Sequence, residues 1–468
     1  MGASPLLILG IMALAAAVTL MAGAAEAFVF VWIPSAMLLF RVPLIDIDYL
    51  PDPTTTIGCM YGILLGLVLK AGEVPRFRWN VVDTIVVLLS VAHVISAVTT
   101  EVIYTGVSVG GQEVLAWMMP YFLARHAFCS AQLRRSALWI VVGCFIVIGV
   151  FGVIETRLWP HFFTNTLWKI LQVPDLVQSA FKRGGFFRSH VSFSHPLYLG
   201  DAAVAAAGMI AALAGTSGVS LRNPWVRAGL AATGVGLIVC LSFGPVTAAA
   251  AAVLTYVAMS RLSLARLLVV PMVVGGIVML YAFTVAIVPT DVKIDDNAPE
   301  YVRSYEVRKL IVKNSWNLVS TAGLWGHGAN IPKDELNLDS VDNAYLVFAM
   351  TRGWVYLGLF LLMIVWVAHR VKQAMARCRS NGERMPLAAA FASFIGVLVG
   401  MYTVWAAEDF INVWLPLTAL LVTLTELALT RPRADPRQVA AAAAFARRLS
   451  AEIEAVEAGP VAAGTADA

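Results

Sequence analysis

Long apolar stretches joined by short polar links make up most of the chain. Runs nearly free of charge lie near residues 5–25, 27–40, 54–69, 81–98, 106–123, 136–155, 196–216, 226–242, 245–260, 266–289, 341–368, 386–405 and 410–430. An α-helix needs about 20 apolar residues to cross the ~30 Å hydrocarbon core of a bilayer. The pattern therefore predicts an all-α fold: one polytopic integral membrane helix bundle over residues 1–430, with about 12–13 transmembrane helices. The first forty residues allow two versions, because Glu26 separates two short stretches. These form either two crossings or one crossing and a re-entrant piece. Residues 6–25 lack the positively charged start and clear cleavage site of a removable signal peptide, so this stretch is expected to stay in the membrane.

The links alternate in charge. Lys70, Arg76 and Arg78, then Arg125, Arg134 and Arg135, Arg222 and Arg227, Arg261 and Arg266, and Arg370, Lys372, Arg377, Arg379 and Arg384 all fall on one side. The positive-inside rule makes that side cytoplasmic. The opposite side carries short acidic links (Asp46, Asp48 and Asp52; Glu101 and Glu113; Glu408 and Asp409) and two long loops, about 156–195 and 290–340. Any chemistry is expected in those outer, periplasmic loops. The tail, 431–468, is expected in the cytoplasm, with an amphipathic helix around 439–456 and a small-residue end that lacks order.

Composition agrees and removes several function classes. Hydrophobic residues make up 59% and charged residues 13%, with a mean hydropathy of +0.79; soluble domains carry about 25% charged residues. A net charge of +4 comes from 33 dispersed Lys and Arg without a basic, aromatic-studded face, so no nucleic-acid partner is expected. The five cysteines show no C-x-x-C spacing and read as small core residues. No G-x-x-x-x-G-K-[ST] phosphate loop is present, which argues against an ATP-driven pump. There is no 20–50-residue repeat and no duplication of halves of the kind many transporters show. Ionisable groups deep in the runs are scarce, with His93, Asp83 and Asp201 the main candidates. Transport is accordingly the second reading.

The first outer loop ends in Lys182-Arg183-Gly-Gly-Phe-Phe-Arg188-Ser-His190-Val-Ser-Phe-Ser-His195-Pro196, a cationic stretch where the charge rule disfavours cations. The guanidinium's planar fork suits phosphate, so an anion is the expected ligand; contact with lipid headgroups is the other reading. The second outer loop repeats the theme with Arg303, Arg308, Lys309 and Lys313 on a partly helical stretch, 301–319, expected to lie on the bundle. A turn follows at Leu324-Trp325-Gly326-His327-Gly328, then Ser340-Val341-Asp342-Asn343-Ala344-Tyr345-Leu346 at the mouth of the next crossing. Asp342 and Asn343 there are either helix caps or catalytic groups.

Taken in order, these motifs resemble the O-antigen ligase and polysaccharide polymerase family, integral-membrane glycosyltransferases of the bacterial envelope. The family's Arg and Gly-Thr-Phe-x-His/Asn-Pro-like run is matched by residues 188–193, His195 and Pro196. Its Ser-Arg-Gly or Ser-Gly-Pro-like turn is matched loosely by Ser242-Phe243-Gly244-Pro245. Its later Arg, Gly-x-Gly and His-Asn-x-Tyr-Leu-like motif correspond to Arg308, Gly326 and Gly328, Asp342 to Leu346, and the following Gly353. The resemblance covers about residues 54–430.

The resemblance implies transfer of a glycan from an undecaprenyl-diphosphate carrier to an acceptor glycan hydroxyl, at the periplasmic face of the inner membrane, without cofactor or metal. Membrane lipid and other polysaccharide assembly proteins are the remaining implied partners. In this reading Arg188, Arg308, Arg183, Arg303, His195 and Tyr345 bind substrate, and Asp342 and Asn343 are catalytic. Asp342 stands where the ligases carry a histidine general base. A carboxylate can take the hydroxyl proton instead, with Asn343 orienting the acceptor; Glu408 or Asp409 is the alternative base. Polymerisation of exopolysaccharide or O-antigen repeat units is the expected activity, with ligation to lipid A-core and non-enzymatic transport of a lipid-linked glycan as alternatives.

Overall fold

The computed structural model describes residues 3–39, 54–70, 77–100, 103–159, 162–163, 165–166, 182–183, 185–261, 300–328, 341, 343–378, 380–403, 408–430, 448 and 450–452. The described residues form a helix bundle. Seven helices are long and apolar enough to cross a membrane, and four shorter apolar ones accompany them. The apolar run at 266–289 and nearly all of the tail lie outside the described residues.

In chain order, α1 (Ala3–Met21) and α2 (Ala24–Leu38) are separated at Gly23, whose φ of 133° no L-residue adopts readily. The break in the first forty residues therefore falls at this glycine, and Glu26 lies inside α2. Helix α3 (Thr55–Lys70) packs on α1 through Gly58, Gly62 and Gly66. A Cβ on Gly62 would stand 2.2 Å from the Met12 carbonyl oxygen, so the two backbones meet as closely as small-residue spacing allows.

Helix α4 (Val81–Thr100) opens with a reciprocal cap. Asn80 Oδ1 accepts from the Val82 and Asp83 amides, and Asp83 Oδ2 accepts from the Asn80 amide at 2.8 Å. Helix α5 runs from 103 to 129 and widens into a π turn at Glu113–Met118; Pro120, just after it, has no N–H to close an ordinary turn. Helix α6 (Ala131–Arg157) follows, capped by Ser130.

After a two-stranded ribbon, β1 (Lys182–Arg183) with β2 (Phe186–Phe187), come α7 (Pro196–Thr216), α8 (Pro224–Val239) and α9 (Phe243–Arg261). Then follow α10 (Glu300–Thr321), α11 (Ala344–Arg377), α12 (Asn381–Gly400) and α13 (Glu408–Thr430). The core gathers on α7, 83% buried over its span, flanked by α8, α9, α12 and α13; α9, at 28%, is an edge helix. Outward-facing Val68, Ile238 and Leu254 are more than two-thirds exposed, as lipid-facing side chains are.

One buried charge in the bundle is closely paired. Arg125 of α5, 1% exposed, donates through Nε to Asp83 Oδ1 at 3.1 Å and through Nη1 to Thr423 of α13 at 3.0 Å, and the Tyr121 hydroxyl donates to the same carboxylate at 2.8 Å. Asp83 is thus a packing and capping group. Glu113 corrects the sequence reading: it lies in no acidic surface link but within α5, 2% exposed. Its helix passes through a stretch with glycines at 106, 110 and 111, which reads as a link because small residues carry little hydrophobic signal.

Candidate functional site

The described residues 163 and 189–191 of the first long loop are held by one acid that no sequence motif marks. Glu155, near the end of α6 and 1% exposed, accepts through Oε2 from the Ser189 hydroxyl at 2.7 Å and the Val191 amide at 3.0 Å, with the His190 amide at 3.4 Å. Its Oε1 accepts from the Phe163 amide at 3.1 Å. A carboxylate in the last turn of a helix opposes the macrodipole. That unfavourable placement was the available signal that Glu155 has partners elsewhere.

With the loop fixed, two of the expected anion-binding arginines come to one place. Arg183 donates to the Leu241 carbonyl at 2.9 Å and Arg188 to the Cys240 carbonyl at 3.2 Å, while the Ser189 amide bonds the Val239 carbonyl at 3.0 Å. Both guanidinium groups therefore sit on the carbonyl end of α8, where cations are favoured. Leu241, at φ 47°, makes the turn into Ser242-Phe243-Gly244-Pro245. His195 caps α7, its Nδ1 accepting from the Leu197 amide at 3.2 Å.

At the second mouth, Asn343 caps α11: its Oδ1 accepts from the Tyr345 and Leu346 amides at 3.1 and 3.2 Å. Tyr345 turns inward and its hydroxyl donates to the Leu398 carbonyl at 2.7 Å, and the Ala344 amide bonds the Met401 carbonyl at 2.9 Å. Asp342 lies outside the described residues. So do the side chains of Arg303 and Arg308, whose backbone is in α10, and those of Glu408 and Asp409.

The C-terminal end of α12 joins the two regions. Gly400 packs on Asp201 of α7, Thr403 on Gly244, and Gly200 on Pro245. Asp201 is fully buried, and neither of its oxygens has a hydrogen-bond partner among the described residues. Helix α10 packs Ile311, Val312, Leu318 and Val319 against Leu346, Val347 and Met350 of α11.

The glycines of the 324–328 turn have a specific use. Helix α11 contains a π turn, Phe348–Arg352, and breaks at Gly353 with φ 80°. The break frees backbone groups at membrane depth, which a protein must satisfy internally. The turn does so: the His327 and Gly328 amides donate to the Met350 and Thr351 carbonyls at 2.7 and 3.0 Å, and the Val355 amide donates to the Leu324 carbonyl at 3.2 Å. A Cβ on Gly353 would lie 2.2 Å from that Leu324 oxygen.

Burial, with Arg188 and His190 nearby, pushes His195 down from 6.5 to about 4. Between those values the unfolded loop binds a proton that the folded loop refuses, so stability rises with pH across this window and falls as pH drops through it. His195→Gln is expected to flatten that dependence. Hydrogen exchange at residues 189–199, measured from about pH 7 to about pH 4, checks this, and an unchanged slope would count against it.

Among the described residues no group of three His, Cys, Asp or Glu side chains is placed to hold a metal ion. A cavity of about 580 Å³ opens at the opposite end of the bundle, lined by Arg134, Thr216, Arg377, Glu383 and Leu427 among others. It is remote from both outer mouths. Comparison of the chain with protein-family models, curated proteins and solved structures gives no match.

Proposed function

We propose that this membrane protein is a glycosyltransferase that polymerises lipid-linked repeat units at the outer, periplasmic face of a bacterial inner membrane, with its C-terminal tail in the cytoplasm. The observation that carries the reading is the pairing of Arg183 and Arg188 over the 240–242 turn, on a loop fixed by Glu155. The resemblance of the motif order to the O-antigen ligase and polysaccharide polymerase family supports it independently.

In the proposed reaction an acceptor sugar hydroxyl attacks the anomeric carbon of the donor glycan. The bond from that carbon to the diphosphate oxygen breaks, and undecaprenyl diphosphate leaves with the electron pair. The hydroxyl proton passes to a carboxylate, Asp342 or, failing that, Glu408 or Asp409. Negative charge grows on the diphosphate, and fixed guanidinium groups stabilise it best when they are already in place.

The experiment is glycan elongation by purified protein from a lipid-linked donor in detergent. Arg188→Ala is expected to lower turnover by at least about tenfold, and Arg188→Lys to recover part of it, because lysine keeps the charge and loses the fork. Wild-type rates in Arg188→Ala would remove the diphosphate reading. Ligation to lipid A-core remains the sibling activity, separated by which acceptor is extended. Transport of the lipid-linked glycan is kept as a second reading because the bundle encloses a second ionisable centre, at His93, Glu113 and Arg352. A transporter would show movement in sealed vesicles and no new bond.

A further inference from the structure

The centre at His93, Glu113 and Arg352 belongs to neither outer mouth. His93 Nδ1 and Glu113 Oε1 share a hydrogen bond of 2.5 Å, and Arg352 Nη2 lies 3.8 Å from the same carboxylate oxygen. Glu113 Oε2 is buried without a partner among the described residues. Arg352 Nη1 donates to the Tyr356 hydroxyl at 2.5 Å, and its guanidinium lies 4.6–5.4 Å from the ring centres of Trp117, Phe348 and Tyr356. Side-chain exposure is 21% for His93, 2% for Glu113 and 14% for Arg352.

Helix rise sets the depth. His93 stands seven residues before the end of α4 and Arg352 eight after the start of α11, so both lie about 10–12 Å below the mouth formed by Asn343. Ionisable groups at such depth are rare and functional by default. Two of the three sit in π turns, Glu113 in that of α5 and Arg352 at the end of that of α11, a backbone form enriched at functional sites.

The charges allow one more step. With the imidazole neutral, the carboxylate and the guanidinium sum to zero. A proton taken up at His93 leaves the centre with one positive charge, and Arg352 must then share the Glu113 carboxylate with an imidazolium. Arg352 is also the last residue before the break at Gly353, and the two carbonyls before it are held by the 324–328 turn. Ser96 of α4 bonds the Thr351 carbonyl as well, at 3.0 Å.

We propose that the His93 and Glu113 pair is an intramembrane proton-binding site which, through Arg352, sets whether the broken turn of α11 stays joined to the 324–328 loop. Deprotonated, the carboxylate holds Arg352 and the loop is closed on the break. Protonated, the imidazolium competes with Arg352 for the carboxylate, the guanidinium is held less firmly and the join loosens, which opens the second mouth just above. Other ionisable groups on elements packed around the centre include Asp83 on α4, Tyr121, Arg125 and His126 on α5, Tyr345, Tyr356, His369 and Arg370 on α11, Lys313 on α10 and His327 on the loop, together with Lys70 at the far end of α3 and Glu426 at the far end of α13. Lys70 and Glu426 are held there by the Thr19 carbonyl and by Arg370. None of them touches the Glu113 carboxylate in the described contacts.

The test is independent of glycan transfer. Hydrogen exchange of the amides at 327, 328 and 355 is followed in the full-length protein in lipid nanodiscs, from about pH 8 to about pH 5, after correction for the intrinsic pH dependence of exchange. Protection in the wild type is expected to fall as pH drops, by up to about tenfold per unit. His93→Gln should keep the high-pH protection and lose the pH dependence, and Glu113→Gln should be unprotected at every pH. Should Glu113→Gln fail to insert, His93→Gln decides alone. Wild-type protection that ignores pH, or a pH dependence that survives in His93→Gln, overturns the proposal, whatever the transfer assay shows.

Discussion

Glu155→Ala is expected to unfasten the first long loop around residues 189–191 while the bundle still inserts. The carboxylate accepts from three backbone amides, those of Phe163, His190 and Val191, and from the Ser189 hydroxyl. His190 and Val191 are essentially without solvent contact. Removing an acceptor from a buried N–H costs about 1–3 kcal/mol per group, so several kcal/mol of local stability should go at one substitution. Val191 makes the loss larger, because its φ of 50° is strained for a β-branched residue and persists only while the surroundings hold it. Arg188 then no longer stands over the Cys240 carbonyl. Elongation should fall at least as far as in Arg188→Ala, and amide exchange at 189–193 should rise by orders of magnitude. Glu155→Gln, which keeps one acceptor oxygen, should fall between. Unchanged exchange in Glu155→Ala would mean that the loop is held by its ribbon and by the turn at Leu241 instead.

The second large effect concerns the join between α4, α5 and α13. Asp83→Ala leaves the Arg125 guanidinium buried with the Thr423 hydroxyl and the Arg78 carbonyl as its remaining acceptors. Breaking one side of a buried pair costs about 3–5 kcal/mol. The double substitution Asp83→Leu with Arg125→Met removes both charges and should recover much of that loss, because an apolar pair of similar volume is often neutral or better. Thermal unfolding in one detergent, read for both singles and the double, checks this. Simple additivity of the two losses would show that the charges do not couple and that Tyr121 and Asn80 hold the junction.

Much of the bundle was readable from hydrophobic runs because a membrane helix must satisfy its own backbone and face lipid with apolar side chains. Backbone irregularity was not readable. Residues 28–32 of α2 also widen into a π turn, and nothing within 28–32, 113–118 or 348–352 announces one, since a following proline such as Pro120 removes an N–H but the packing of neighbouring helices decides how the turn widens. Glu113 was misplaced for this reason, as a lone acid among small residues reads as a link until a histidine and an arginine from other helices are found beside it. At the outer mouths the sequence marked Arg183, Arg188 and Asn343 by residue type, but two outcomes were open for each. Asn343 caps α11, and the two arginines rest on the carbonyl end of α8. Glu155 escaped notice because its four partners lie 8 to 36 residues away, and only the folded loop brings them together.

Helices α3 and α8 have 16 residues each, while α6 has 27. At about 1.5 Å per residue the short ones reach ~24 Å and the long one ~40 Å, against a hydrocarbon core of ~30 Å. Over their described lengths α3 and α8 fit a locally thinned bilayer, whereas α6 fits an ordinary one by tilting. Lys70, at the end of α3 with its ammonium on the Thr19 carbonyl, is a side chain suited to reaching up through such a thinned rim. Short-chain lipids and short-chain detergents should therefore suit the protein better than thick bilayers, which leave more of the mismatch beside α3 and α8 to be relieved.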